Sequence, residues 1–224
     1  MTFQLPDLPF ASDALEPRMS RRTVELHHDT LHRDYIDRLN AATAGSEWQE
    51  RELREIVIET YGSKEHAKLF YNAAQAWNHA FFWHSLSPEG GRPEGDLAHR
   101  LERDFGGVDD FLRAFRDAAN RHVGSGWTWL YVDGGRLEVT STPNADTPVA
   151  HGMQPLLGLD LWEHAYYLDH GADRDAYVDV FLGHLANWQF AARNLEDAAV
   201  VHWKEDRYRE IQDAFAASGL GTAN

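Results

Sequence analysis

The chain has 224 residues, no cysteine and a formal net charge of −15. The absence of cysteine excludes disulfides, thiolate zinc sites and cysteine-held iron–sulfur clusters, so any metal must be bound through nitrogen and oxygen. The acidic balance argues against a nucleic-acid or anionic-membrane partner, because binding a polyanion needs clustered Lys and Arg.

In chain order, the opening MTFQLPDLPF lacks the basic and apolar regions of a leader, and no stretch approaches the roughly 18 apolar residues of a membrane span. A cytoplasmic protein without a membrane partner is expected. From Ser20 to about Ala44, apolar or semi-apolar residues recur at Val24, His27, Leu31, Tyr35 and Leu39, the repeat of one helix face. Ser20 suits the N-cap and Gly45 the stop. A shorter helix is expected at about Trp48 to Glu59. A third runs from about Lys64 to Leu86, with Leu69, Ala73, Ala76, Ala80 and Trp83 along one side. Two long helices joined through a short element predict an antiparallel hairpin.

The segment SPEGGRPEG, Ser87 to Gly95, clusters Pro and Gly and reads as a linker. It divides the chain into an N-terminal helical hairpin domain, 1–88, and a mixed domain, 89–224. Helical patterns return at about Gly95 to Asp104 and Asp109 to His122. WTWLYVDGGRLEVTSTPN then reads as two strands turning at Asp133, Gly134 and Gly135, and LLGLDLW from Leu156 supplies a third. Helices at about Arg174 to Leu195 and His202 to Ala217 complete the plan. The expected class is α+β: a helical hairpin, then a three-stranded antiparallel sheet flanked by helices, with an extra C-terminal helix.

Four residues stand out chemically. His27 sits on the apolar stripe of the first helix, and His79 lies in the aromatic run AAQAWNHAFFWH, one turn after Gln75. Asp160 follows the apolar LLGL, and His164 follows Asp160 at i+4. A carboxylate in apolar surroundings is costly unless it is paired or metal-bound. Taken singly, each histidine is more often a satisfied core residue, and the Asp–His spacing equally suits a carboxylate orienting an imidazole. Together, three imidazoles and a carboxylate suit iron, manganese or zinc, and not calcium or magnesium. Four protein ligands leave a position open on a five-coordinate metal, which implies catalysis rather than structure.

The motifs NAAQAWNH, GSGWTW, STPNA and DLWEHAYY resemble the iron/manganese superoxide dismutase family, and the likeness runs from LPDLPF to NWQFAARNL. The resemblance implies one iron ion per subunit, with manganese as the alternative, held by His27, His79, Asp160 and His164. It implies conversion of superoxide to dioxygen and hydrogen peroxide as the metal alternates between its trivalent and divalent states. Gln75 matches the amide that hydrogen-bonds the metal's solvent ligand, Tyr35 the tyrosine of the substrate channel, and Arg174 the arginine of the funnel. Trp127 and Trp162 match aromatic residues around the metal, and Glu163 and Tyr167 match dimer residues, so a homodimer is expected. In iron-type members the glutamine comes from the NAAQ segment; this chain has Gln75 there and Ala145 at the manganese-type position, which favours iron.

The segment after His27 departs from the family pattern. Thr30 stands where relatives carry a lysine that attracts superoxide, and Asp29 adds repulsion. Leu31 replaces a channel histidine that meets the partner's tyrosine at the position of Tyr167, so that contact is expected to be absent. Two other readings stay open on the residues alone. One is a non-haem iron enzyme using two histidines and a carboxylate. The other is a non-catalytic relative retaining the fold as a binding module.

Overall fold

The computed structural model describes residues 2–198. Its first long helix opens as α1 (Arg21–Glu25), widens into a π segment (Leu26–His32) and continues as α2 (Arg33–Thr43). Ser20 caps it by accepting the Thr23 N–H. A 3₁₀ turn (Glu47–Glu50) and α3 (Leu53–Thr60) lead into α4 (Ala67–Ser85), which packs against α2 and α3. Then come α5 (Gly95–Phe105), α6 (Val108–Arg121), β1 (Gly126–Asp133), β2 (Arg136–Pro143) and β3 (Gln154–Asp160). α7 (Tyr167–His170), α8 (Arg174–Val180) and helix α9, 188–198, close the described chain.

The sheet has the order β2-β1-β3, antiparallel throughout. Central β1 is buried at every position from Gly126 to Tyr131 because α4 covers one part of the sheet and α6 another. That accounts for an unbroken aromatic run where an alternating pattern would mark a strand with one wet face. α4 lies close to β3: a Cβ built at Gly158 would sit 3.4 Å from the Phe81 ring of α4, besides 2.5 Å from the Trp129 ring of β1, and the Gly158 N–H donates to Ser85 Oγ at 3.1 Å. Two buried clusters result. The larger gathers Trp83, Trp127, Trp129, Phe111, Phe115 and Phe181, and the smaller packs Ile36, Leu39, Ile56 and Val57 inside the hairpin.

The α+β architecture expected from sequence is the one observed, with local corrections. The expected stripe Val24, His27, Leu31, Tyr35, Leu39 is buried at Val24, His27 and Leu39 but not at Leu31 and Tyr35. The buried residues are Val24, His27, His28, His32, Ile36 and Leu39, while Leu31 and Tyr35 are half-buried. The π segment is the reason, since its wider turns use extra residues and rotate the phase of everything beyond it. The helix expected at Trp48 to Glu59 divides into the 3₁₀ turn and α3. The one expected at Arg174 to Leu195 breaks after a second π segment (Phe181–Leu185), where Ala186 bridges to Leu86 and the Asn187 side chain accepts the Phe190 N–H at 3.0 Å. The helix expected at His202 to Ala217 lies outside the described residues.

Candidate metal centre

Each half of the chain delivers two of the four predicted ligands to one point. His27 comes from the first π segment and His79 from α4; Asp160 ends β3, and His164 sits in a 3₁₀ turn (Glu163–Ala165) just beyond it. The Nε2 atoms of His27, His79 and His164 lie 3.2, 3.6 and 3.2 Å from one atom, Asp160 Oδ2. One ligand atom from each residue falls within 4.8 Å of all the others.

Hydrogen bonding within the protein does not satisfy this arrangement. Only His164 has hydrogen-bond geometry toward Asp160, at 3.2 Å, while both nitrogens of His27 and Nε2 of His79 are buried without a partner. Each such orphan costs about 1–3 kcal/mol. A metal ion with bonds of about 2.0–2.2 Å, at angles of 90–120°, separates its ligands by about 2.8–3.8 Å, and the three distances to Asp160 Oδ2 fall in that range. The residues therefore fit one nitrogen- and oxygen-bound transition metal ion.

Electrostatics agree with deprotonated ligands. Burial pushes the His27 imidazolium down to about 4, only partly offset by Asp160, and burial likewise holds His79 well below the ordinary histidine value. For Asp160, burial works the other way, but His164 and His27 overcome it and keep the carboxyl well below the usual carboxylate range. His79 Nδ1–H donates to the Gln75 carbonyl at 2.7 Å, which fixes the tautomer and leaves Nε2 with its lone pair facing the site. Asp160 Oδ1 accepts the Trp162 N–H at 2.8 Å, so the carboxylate is steered from outside.

Around this centre, the Gln75 side chain is held from both ends. Its Oε1 accepts the Trp127 indole N–H, and its Nε2–H donates to the Tyr35 hydroxyl, each at 3.3 Å. Trp162 stacks on His164 at 5.6 Å between ring centroids, and its indole donates to the carbonyl of Asn144. Asn144 has φ 54°, a left-handed conformation that asparagine tolerates. Arg174 is half-buried and donates to the carbonyls of His122, at 2.6 Å, and Asn120, at 3.3 Å; it also lines an open depression with Tyr166 and Asp173. Glu163, in the same turn as His164, and Tyr167 are both exposed.

Two supporting residues escaped the sequence reading. His32 is buried, donates to the Ala76 carbonyl at 3.0 Å, accepts the Trp83 indole N–H at 3.2 Å and stacks on His79. Burial pushes it down to about 3, so it stays neutral. Asn78 donates to the Ala145 carbonyl at 3.1 Å, tying α4 to the loop after β2. The polar residue beside His79 marks Asn78 in the sequence; nothing in a regular helical period marks His32, since the π segment turns it inward.

Two family models match the chain: the alpha-hairpin domain of iron/manganese superoxide dismutases over residues 2–87, and their C-terminal domain over residues 93–194. A superoxide dismutase [Fe] of Synechocystis sp. is 45% identical over 199 residues, covering 88% of this chain and 100% of that protein. A superoxide dismutase [Fe] of Coxiella burnetii is 45% identical over 198 residues, with 88% and 100% covered. A superoxide dismutase [Mn/Fe] of Rickettsia conorii is 42% identical over 194 residues, with 86% and 93% covered. With its ligands converging as the donor chemistry requires and its length matched almost throughout, the chain belongs to the iron/manganese superoxide dismutase family.

Proposed function

We propose that this chain disproportionates superoxide at a single iron ion held by His27, His79, Asp160 and His164. The observation that carries the proposal is the convergence of three imidazole nitrogens on one oxygen of a buried carboxylate, with both nitrogens of His27 and Nε2 of His79 otherwise unpartnered. When bound, the ion supplies a one-electron couple, so that two superoxide anions and two protons give dioxygen and hydrogen peroxide.

The protein's own groups have distinct tasks in this reading. Asp160 and the three neutral imidazoles offer one negative charge to the ion, and the surrounding aromatic rings keep bulk water away. The Gln75 amide is fixed between Trp127 and Tyr35, and its second N–H would serve to orient a proton beside the ion. Tyr35 is buried enough that its hydroxyl stays protonated, so it serves as a donor at the inner end of the approach. Arg174 supplies local positive charge against the acidic whole. Its hydrogen bonds to the His122 and Asn120 carbonyls hold that charge in place.

Gln75 together with Ala145 supports iron over manganese, as does the [Fe] designation of the Synechocystis and Coxiella relatives; the [Mn/Fe] relative makes manganese the alternative. A homodimer is supported by the exposed apolar residues Tyr167 and Leu168, which follow Glu163 closely in sequence. The absence of cysteine suits a cytoplasmic location. Among the described residues no helix is long and apolar enough to cross a membrane.

The test is metal content paired with superoxide decay. Chain stripped of metal and reloaded separately with iron and manganese is expected to show about one ion per subunit, with faster superoxide decay for iron. Equal decay in metal-free and loaded samples would refute the reading. Sedimentation of the protein across a concentration series is expected to give twice the chain mass, and Tyr167→Glu to shift it toward one.

A further inference from the structure

Tyr71, Gln75 and His79 occupy positions i, i+4 and i+8 of α4, so they form one stripe along that helix. Tyr35 of α2 lies across all three. Its ring sits 5.2 Å from the His79 ring and 6.0 Å from the Tyr71 ring, the latter edge-on at 67°. Its hydroxyl accepts the Gln75 amide between them. Leu31, four residues before Tyr35, offers that hydroxyl no hydrogen bond. The ring and side-chain hydrogen-bond contacts of Tyr35 among the described residues are therefore all with α4.

Beyond Tyr71 the support ends. Tyr71 is half-buried and lines an open groove of about 720 Å³ between α2 and α4, whose other walls include the short side chains Ala41, Ala42 and Ala67. Tyr71 is the only ring among the residues lining that groove, whose remaining walls are the flexible Arg38, Lys68 and Asn72 and the three alanines, so its loss would leave no rigid side chain there to keep the Tyr35 ring on Gln75. We propose that Tyr71 is a positioning residue for the dismutation, acting through Tyr35: its ring is the outer wedge that holds the Tyr35 hydroxyl on the Gln75 amide. This inference rests on the dismutase reading. The edge-on contact uses the aromatic plane, while the Tyr71 hydroxyl also interacts with that of Tyr35, and Tyr71→Phe separates the two contributions.

Three variants of the full chain test it: Tyr71→Phe, which keeps the ring, and Tyr71→Leu and Tyr71→Met, two aliphatic replacements with different packing demands. Stopped-flow superoxide decay is measured on iron-loaded protein, and the Trp127 indole N–H resonance on metal-free protein, since that N–H reports on Gln75. Tyr71→Phe is expected to keep kcat within about twofold and leave the resonance in place. Tyr71→Leu and Tyr71→Met are expected to lose about tenfold in kcat with little change in KM, against the ~10²-fold that a misplacement of 1 Å can cost, and to shift or broaden the resonance. Wild-type kcat and an unmoved resonance in both aliphatic variants, beside an active wild type, would overturn the wedge alone. Impairment of Tyr71→Phe equal to theirs would also overturn it, by assigning the role to the hydroxyl. An inactive iron-loaded wild type would instead overturn the dismutase reading, and Tyr71's part in the reaction with it.

Discussion

Replacing Asp160 or His79 removes different things from the same point. Asp160→Ala takes away the one negative charge that the three imidazoles face, and His79→Ala takes away a neutral donor whose tautomer α4 itself fixes. Both variants are expected to bind less than a tenth of the wild-type iron and to lose dismutation, with Asp160→Ala the more severe; metal analysis and superoxide decay check this. Proton linkage at the buried histidines gives a second prediction. His27 and His32 titrate near 4 and 3 when folded and near 6.5 when unfolded, so below about 6.5 the unfolded chain binds more protons. Stability of the metal-free protein is thus complete above that pH and falls as pH drops toward 4, with a slope of up to about 1.4 kcal/mol per unit for each histidine. Urea midpoints at pH 7 and pH 5 measure it. At this scale the sequence was largely legible. His79, Asp160 and His164 stand in apolar runs where an unpaired polar group is anomalous, and their types define a metal's donors. Arg174 was legible as a cation, whereas its anchoring on two backbone carbonyls depends on where α6 ends in space.

The elements were readable wherever one period persisted. α4 and the β1–β2 hairpin have uninterrupted patterns, and their positions follow closely from them. The π segment of residues Leu26–His32 has no sequence period of its own, so a regular helix was the default and the buried face came out one residue early at Leu31 and Tyr35, where His32 and Ile36 are the buried residues. That same displacement turns His32 inward beneath His79 and leaves Tyr35 at the edge, where α4 can reach it. The break at Ala186 was equally hidden, because it is made by pairing with Leu86, far away in sequence. Close approach of elements sets the next prediction. Gly158→Ala drives a methyl group to 2.5 Å from the Trp129 ring of the neighbouring strand β1, and the resulting overpacking beneath α4 is expected to cost ~1–3 kcal/mol. Thermal unfolding of the variant against wild type measures it. Asn78→Ala cuts the tie to Ala145 and is expected to cost about 1 kcal/mol.

For the molecule as a whole, binding of the ion by the folded chain alone means that its removal lowers the unfolding temperature, by an amount that grows with free metal over the dissociation constant. Calorimetry with and without a chelator is expected to show the iron-loaded protein melting higher, and Asp160→Ala to show no difference between the two conditions. Neither terminal half carries a complete site. His27 and His79 belong to the hairpin, and Asp160 and His164 to the strand and turn that follow the sheet. A ribosome therefore completes the hairpin's pair long before the carboxylate exists, and the unfinished chain has two neutral imidazoles with no anion to set against a cation's charge. No four-residue site exists before β3 docks on α4, so an ion held by all four groups is bound at that docking or after it, never before.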